Sequence, residues 1–237
     1  MQGEGVMPAG NARKPSAFEH AGGQGHSCIV CGANEARPFL KVCALDYQRC
    51  NCCQATFLDP AQRPTLDAER ARYQQHRNDP SDIGYRRFLS KLTGPLLKRL
   101  ATHRCGLDYG CGPGLALACM MREAGHETAL YDPFFYPDIT ALQRTFDFIT
   151  CAEVAEHFHR PAEEFARFDR MLRPGGWLAV MTCFQEDDDH FADWYYRRDL
   201  THVVFYREST LRHIARGFGW ACEIPVKDVA LMQKPMI

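Results

Sequence analysis

Leu107-Asp108-Tyr109-Gly110-Cys111-Gly112-Pro113-Gly114 is the stretch whose reading decides the fold. Arg104 to Tyr109 has the length and apolar character of a short buried strand, and Leu115 to Ala124 reads as a helix. Between them lies a turn with glycines at alternate positions. A strand that ends in glycines and opens a helix makes a cradle. Missing β-carbons let a ligand approach the backbone, and the helix N-terminus offers free N–H groups. A dinucleotide fingerprint places its third glycine at position 115, where this chain has Leu; the spacing here is G-x-G-x-G. An ordinary glycine-rich strand–helix turn has the same composition, so the flanking segments must decide.

Outward from the cradle, Glu127 to Asp132 reads as a second strand ending in an acid 18 residues after Gly114. Such an acid can accept hydrogen bonds from both hydroxyls of a ribose. Phe146 to Cys151 is a short apolar run and a further buried strand. It leads into Ala152-Glu153-Val154-Ala155-Glu156-His157. Pro161 to Leu172 is a helix, Arg173-Pro174-Gly175-Gly176 a turn, and Trp177 to Thr182 another strand. Strands alternating with helices across short turns imply an α/β fold whose parallel sheet is covered on both faces.

In this order the segments resemble the class I S-adenosylmethionine (SAM)-dependent methyltransferases over roughly residues 100–237. Asp-Tyr-Gly-Cys-Gly-Pro-Gly matches the family's first motif, Tyr131-Asp132-Pro133 the acidic end of its second strand, Glu153-Val154-Ala155-Glu156-His157 the segment after its fourth, and Leu172-Arg-Pro-Gly-Gly-Trp-Leu178 the turn into its fifth. The resemblance implies a Rossmann-like, mostly parallel sheet of the seven-stranded type, with SAM as cofactor. It implies that Gly110, Gly112 and Gly114 line the methionine end of SAM, with Cys111 also at the cofactor, and that Asp132 holds the ribose. Cys151, Ala152 and Glu153 would lie along the cofactor or the methyl-transfer mouth. Asp108 would order the glycine loop and touch the amino group. One departure stands out: 13 residues separate Asp132 from Phe146, where the family fits a helix and a third strand. The third strand is therefore expected to be shortened or absent. Phe134 or Phe135 could pack on the adenine or belong to the core.

Cys28-Ile-Val-Cys31 and Cys50-Asn-Cys-Cys53 give the frame C-x2-C-x18-C-x2-C. Each C-x2-C turn can aim two thiolates at one tetrahedral ion, so Cys28, Cys31, Cys50 and Cys53 are expected to hold a structural Zn2+. A reduced or redox-active cluster is the alternative. Cys43 is expected to pack between the pairs, and the later cysteines to be small buried hydrophobes. The expected organisation is a flexible tail over residues 1–26, with Met7 as an alternative start, a zinc-ribbon-like module over 27–60, a helical connector over 61–100 and the methyltransferase domain over 101–237. The connector, with Pro80-Ser81 as a helix start signal and Gly94-Pro95 as an interruption, carries ten Lys or Arg against four Asp or Glu between residues 61 and 104. Solvated helix faces or an RNA-binding face would both explain that excess.

SAM brings its own leaving group, so the protein must align an acceptor, exclude water and, for some acceptors, take a proton. His202 is the leading base. It lies in Tyr195-Tyr196-Arg197-Arg198-Asp199-Leu200-Thr201-His202, after the strand ending at Thr182, at the edge where open α/β sheets bind ligands. By resemblance Tyr195, Tyr196, Arg198 and Asp199 would flank the acceptor. His157 is the second catalytic candidate. Glu186 to His190 is a solvated acidic loop rather than a metal site. The net charge of −1 gives no global basic field for nucleic acid, so a small-molecule acceptor leads and RNA follows. A SAM-binding module without catalysis and, more weakly, a nicotinamide oxidoreductase are the other readings. No apolar run has membrane-spanning length and no signal-peptide core is visible, which makes cytoplasmic the default location.

Overall fold

The structure, a computed structural model, describes residues 26–75 and 79–236. The expected tail lies outside the described residues, apart from His26, and so does Met7. The main sheet has six strands in the order β5-β4-β6-β7-β10-β9. These are β4 (Cys105–Tyr109), β5 (Glu127–Tyr131), β6 (Phe146–Ala152), β7 (Leu172–Met181), β9 (Ala221–Val226) and β10 (Val229–Gln233). The pairs β4–β5, β4–β6 and β6–β7 are parallel, while β10 runs antiparallel to both neighbours.

Side chains alternate across this sheet, as the two-residue period of a strand requires. Leu107, Ile149, Leu178, Val180, Ala230 and Met232 join one core with Phe165 and Phe168 of α4 (Pro161–Met171) and Leu211 and Ile214 of α5 (Glu208–Gly217). Phe148, Trp177, Ala179, Met181, Val229 and Leu231 face the other way. There they meet Leu89, Leu92 and Leu96 of α2 (Ile83–Leu97) and Leu117 and Met121 of α3 (Ala116–Glu123). The result is three layers with the sheet in the middle.

As expected, no strand lies between β5 and β6: Asp132 and Tyr136 form an isolated bridge and Ile139–Gln143 a 3-10 turn, so β5 is the sheet edge. Other expectations change. Gly94-Pro95 does not interrupt α2, because Pro95 sits in its last turn and costs a single hydrogen bond there. The second helix of the connector starts at Ile83, close to the Pro80-Ser81 start signal, where the Asp82 carboxylate caps the Tyr85 amide; α1 (Leu66–Tyr73) precedes it. Arg173 to Gly176 is not a separate turn but the irregular start of β7, across which the pairing jumps from Phe146↔Leu172 to Phe148↔Trp177.

A second, antiparallel sheet has the order β1-β2-β3-β8, from β1 (Ala36–Val42), β2 (Leu45–Cys50), β3 (Thr56–Leu58) and β8 (Val204–Phe205). Its last strand comes from the far end of the chain. Its buried residues, including Tyr47 and Phe57, share one core with the α4–α5 side of the main sheet. Cys43 is exposed in the β1–β2 hairpin rather than packed, and of the six cysteines after Cys53 only Cys151 is buried. Among the described residues no helix is long and apolar enough to cross a membrane.

Candidate functional site

The glycine turn closes over the carboxyl end of β4. Gly110 has φ +76°, and a Cβ there would sit 2.5 Å from a Val154 methyl, so both conformation and space require glycine. The Gly110 and Cys111 amides donate to the Tyr131 carbonyl at 2.8 and 3.2 Å. Asp132 ties the loop down: Oδ2 accepts from the Gly112 amide at 3.0 Å, and Oδ1 from the Phe134 and Phe135 amides at 2.8 and 3.0 Å. One carboxylate thus holds the glycine turn against the segment leaving β5. Asp108 is buried beneath the turn and accepts from Thr150 Oγ1 at 3.0 Å. Burial pushes its pKa up to about 7, against the hydrogen bond from Thr150.

A cavity of about 690 Å³ opens above these residues. Its walls include Asp108, Gly110, Cys111, Gly112, Asp132, Ala152, Glu153, His157 and His202. Gly114, Cys151, Tyr195, Tyr196, Arg198 and Asp199 do not line it. Cys151 is fully buried in β6. Asp199 is occupied by structural bonds, with Oδ1 accepting from the Thr201 amide and hydroxyl and Oδ2 from Arg72. Tyr195 and Tyr196 line a smaller neighbouring recess of about 290 Å³ that shares Glu153 with the main cavity. There the Tyr196 hydroxyl lies 3.1 Å from Thr182 Oγ1 and donates to Glu153 Oε2 at 3.3 Å. Glu153 holds a left-handed backbone, φ +54°, unusual for a side chain of its size. Burial and the nearby Glu156 raise its pKa to about 9.

At the cavity floor stand Glu156, His157 and His202. Glu156 is fully buried, with the Tyr196 and Thr182 hydroxyls near its carboxylate but neither oxygen in a hydrogen bond of good geometry. Burial raises its pKa, opposed chiefly by His202. The rings of His157 and His202 are 4.7 Å apart, centre to centre. Burial lowers the pKa of His202, so the ring is neutral at neutral pH.

The cavity has a wall that the sequence reading did not assign to a site. Leu66, Glu69 and Tyr73 of α1 face it, with Glu69 Oε1 2.7 Å from His159 Nε2 and the Tyr73 ring 5.2 Å from that of His157. Tyr73 also packs on Phe134 at 5.5 Å. A buried glutamate and an aromatic four residues apart on a short helix were the available signal.

The four module cysteines converge. Cys28 Sγ lies 3.6 Å from Cys53 Sγ and Cys31 Sγ 3.7 Å from Cys50 Sγ, and all four sulfurs lie within 4.8 Å of one another. Sulfurs around one zinc stand about 3.8 Å apart. The Val30 and Cys53 amides point at Cys28 Sγ and Cys50 Sγ, 3.4 and 3.5 Å away, and Gly32 and Gln54 turn the two knuckles with positive φ. Cys52 Sγ lies 4.0 Å from His213 Nε2, and both are within 4.8 Å of Cys31 Sγ, at the rim of the four-cysteine cluster. Asp188 of the acidic loop pairs with Arg49 and Arg207, both at 2.6 Å, so that loop joins the two sheets.

Residues 73–223 match the family model described as a methyltransferase domain. No curated protein matches the chain. Among solved structures, the chain is similar to 1,6-didemethyltoxoflavin-N1-methyltransferase from Burkholderia thailandensis, which was solved with 1,6-didemethyltoxoflavin and S-adenosylhomocysteine (SAH). The TM-score is 0.51 at 16% identity, over 77% of this chain and 96% of that one. It is also similar to an O-methyltransferase family protein from the same organism, with TM-score 0.46 at 16% identity, over 70% of this chain and 63% of that one. The first likeness shows a shared fold. With its α/β architecture, glycine cradle and family match over residues 73–223, the chain belongs to the methyltransferase domain family and is a SAM-dependent methyltransferase.

Proposed function

We propose that this methyltransferase acts on a small-molecule acceptor held between the glycine turn, the Glu156–His157–His202 floor and α1. The observation that carries this reading is the cavity itself. Its volume is in the range of small-ligand sites, and α1 walls it with Tyr73 and Leu66. The basic excess of residues 61–104 is also partly spent inside the protein: Arg63 donates to the His159 carbonyl, Arg72 pairs with Asp199, Arg86 with Glu123 and Arg99 with Glu223.

Bound SAM supplies an activated methyl on its sulfonium. The cavity beside the glycine turn, with the carboxylates of Asp108 and Asp132 on its wall, fits that ligand. In this reading Gly110, Cys111 and Gly112 line its methionine end, Asp108 faces its ammonium group, and Asp132 offers its remaining lone pairs to the ribose. Gly114 and Cys151 support that wall from behind. Ala152 and Glu153 border the methyl-transfer mouth, and the Tyr195–Tyr196 recess admits the far end of the acceptor. Neutral His202 takes the acceptor's proton, with His157 beside it. Asp199 holds the segment that carries His202 through Thr201 and Arg72, and exposed Arg198 sits beside it at the surface. Cys28, Cys31, Cys50 and Cys53 hold a structural Zn2+, and β8 completes the sheet of the zinc module. SAH formation measured over a panel of small hydroxyl, amine and carbon acceptors and over structured RNA tests the reading. Turnover of small acceptors is expected; turnover of RNA alone would overturn it.

A further inference from the structure

We propose that Glu156, His157 and His202 form a second metal site, distinct from the four cysteines, which takes one divalent transition ion in the cavity floor. One carboxylate oxygen and one nitrogen from each ring lie within 4.8 Å of one another. Ligands around a single ion at about 2.1 Å stand roughly 3–4 Å apart, so side-chain shifts of about 1 Å close the site.

The surrounding bonds already set the histidines for this role. His157 Nδ1 lies 2.9 Å from the Thr201 carbonyl and His202 Nδ1 2.7 Å from the Tyr196 carbonyl. A carbonyl can only accept, so each Nδ1 carries the hydrogen and a neutral ring keeps its lone pair on Nε2. Ligating histidines are oriented by this kind of outer bond. Glu156 is the independent observation. Its carboxylate is completely buried, with the Tyr196 and Thr182 hydroxyls near it but neither oxygen in a hydrogen bond of good geometry, an expensive arrangement that a cation relieves. His157 Nε2 stands 3.9 Å from Glu156 Oε1, too far for a hydrogen bond and close enough to share an ion.

Two imidazoles and one carboxylate suit Mn2+, Fe2+ or Zn2+. Mg2+ and Ca2+ take all-oxygen sets. Three protein ligands leave open positions, and all three residues line the cavity, so an oxygen or nitrogen of the acceptor can complete the shell. The consequence for chemistry rests on the transferase reading. Without the ion, the His202 lone pair takes the acceptor's proton. With it, that lone pair holds the ion, which lowers the acceptor's proton affinity so that the proton passes to solvent. In either case the acceptor's new bond to the methyl carbon forms as the S–C bond breaks, and the sulfonium becomes the thioether of SAH.

Metal content tests the site. The full chain is equilibrated with buffered Zn2+, freed of excess, and assayed for zinc by mass spectrometry, with SAH binding measured on the same samples. Two zinc ions per chain are expected for the wild type, one for Glu156→Gln and one for His202→Gln, each variant keeping its cysteine-bound ion. The double variant Cys28→Ser/Cys53→Ser is expected to keep one. A single zinc in the wild type, or two in both Glu156→Gln and His202→Gln, overturns the proposal. A single zinc with SAH bound rejects the metal site and leaves the transferase standing, whereas two zincs without SAH binding do the reverse.

Discussion

Asp108 and Asp132 are two carboxylates at the same turn with different electrostatic settings. Asp132 accepts three backbone N–H groups, whereas Asp108 is buried with a threonine hydroxyl and a pKa near 7. Because that folded value exceeds the unfolded value of about 3.9, the folded state binds the Asp108 proton more tightly. Its contribution to stability is complete below about pH 4 and is lost as pH rises through about 7. Asp108→Asn is therefore expected to remove that loss. Relative to wild type, the ligand-free variant should gain up to about 4 kcal/mol between pH 4 and pH 8, read as the difference in urea midpoints. An unchanged difference would show that Asp108 is ionised in the fold. For His202→Ala, kcat is expected to fall by about 10²–10⁴ with SAH affinity unchanged; an unaltered kcat would remove the residue from proton transfer. At this scale the sequence was informative where backbone chemistry dictates residue type. Gly110 needs a positive φ, and Asp132 ends a strand beside the turn. It was silent where function depends on who is nearby, as for Glu69 and Tyr73, which read only as part of a helical connector.

β8 links the cysteine module to the cavity. Thr56 and Phe57 of β3 pair with Phe205 and Val204, the Leu58 amide donates to the Val203 carbonyl, and the Val203 amide donates to the Glu156 carbonyl. His202 is the next residue. Loss of the zinc proposed for the four cysteines should therefore reach the cavity. Cys28→Ser is expected to lower the melting temperature by roughly 5–10 °C and to reduce kcat; a lower melting temperature with full activity would show that the module is only a stabiliser. On the opposite wall, Arg72 of α1 reaches Asp199 at 2.8 Å. Arg72 is half exposed while Asp199 is mostly covered, so Arg72→Ala should cost about 1 kcal/mol of stability while loosening α1 and raising the acceptor KM. An unchanged KM would mean that the ion pair does not hold the wall. The strands β4 to β7 were legible because each is a bounded apolar run. β8 was not, because a two-residue strand has no period and its partner lies nearly 150 residues earlier. The proline in α2 misled because, in the last turn of a helix, the missing N–H costs little.

Across the whole molecule the two sheets share one hydrophobic core and are joined by the Arg49–Asp188–Arg207 bridge, so the cysteine module is built into the transferase. The missing third strand leaves β5 at the edge and gives the space beside Asp132 to Phe134, Phe135 and Tyr73, all of which line the cavity. The most direct test of this account is calorimetric titration of SAH into the zinc-loaded chain, wild type against Asp132→Ala, each shown by its unfolding curve to be folded. The account predicts binding in the micromolar range, about −8 kcal/mol, weakened at least about tenfold by the substitution. No binding to the wild type, or equal affinity in a folded Asp132→Ala variant, would contradict it.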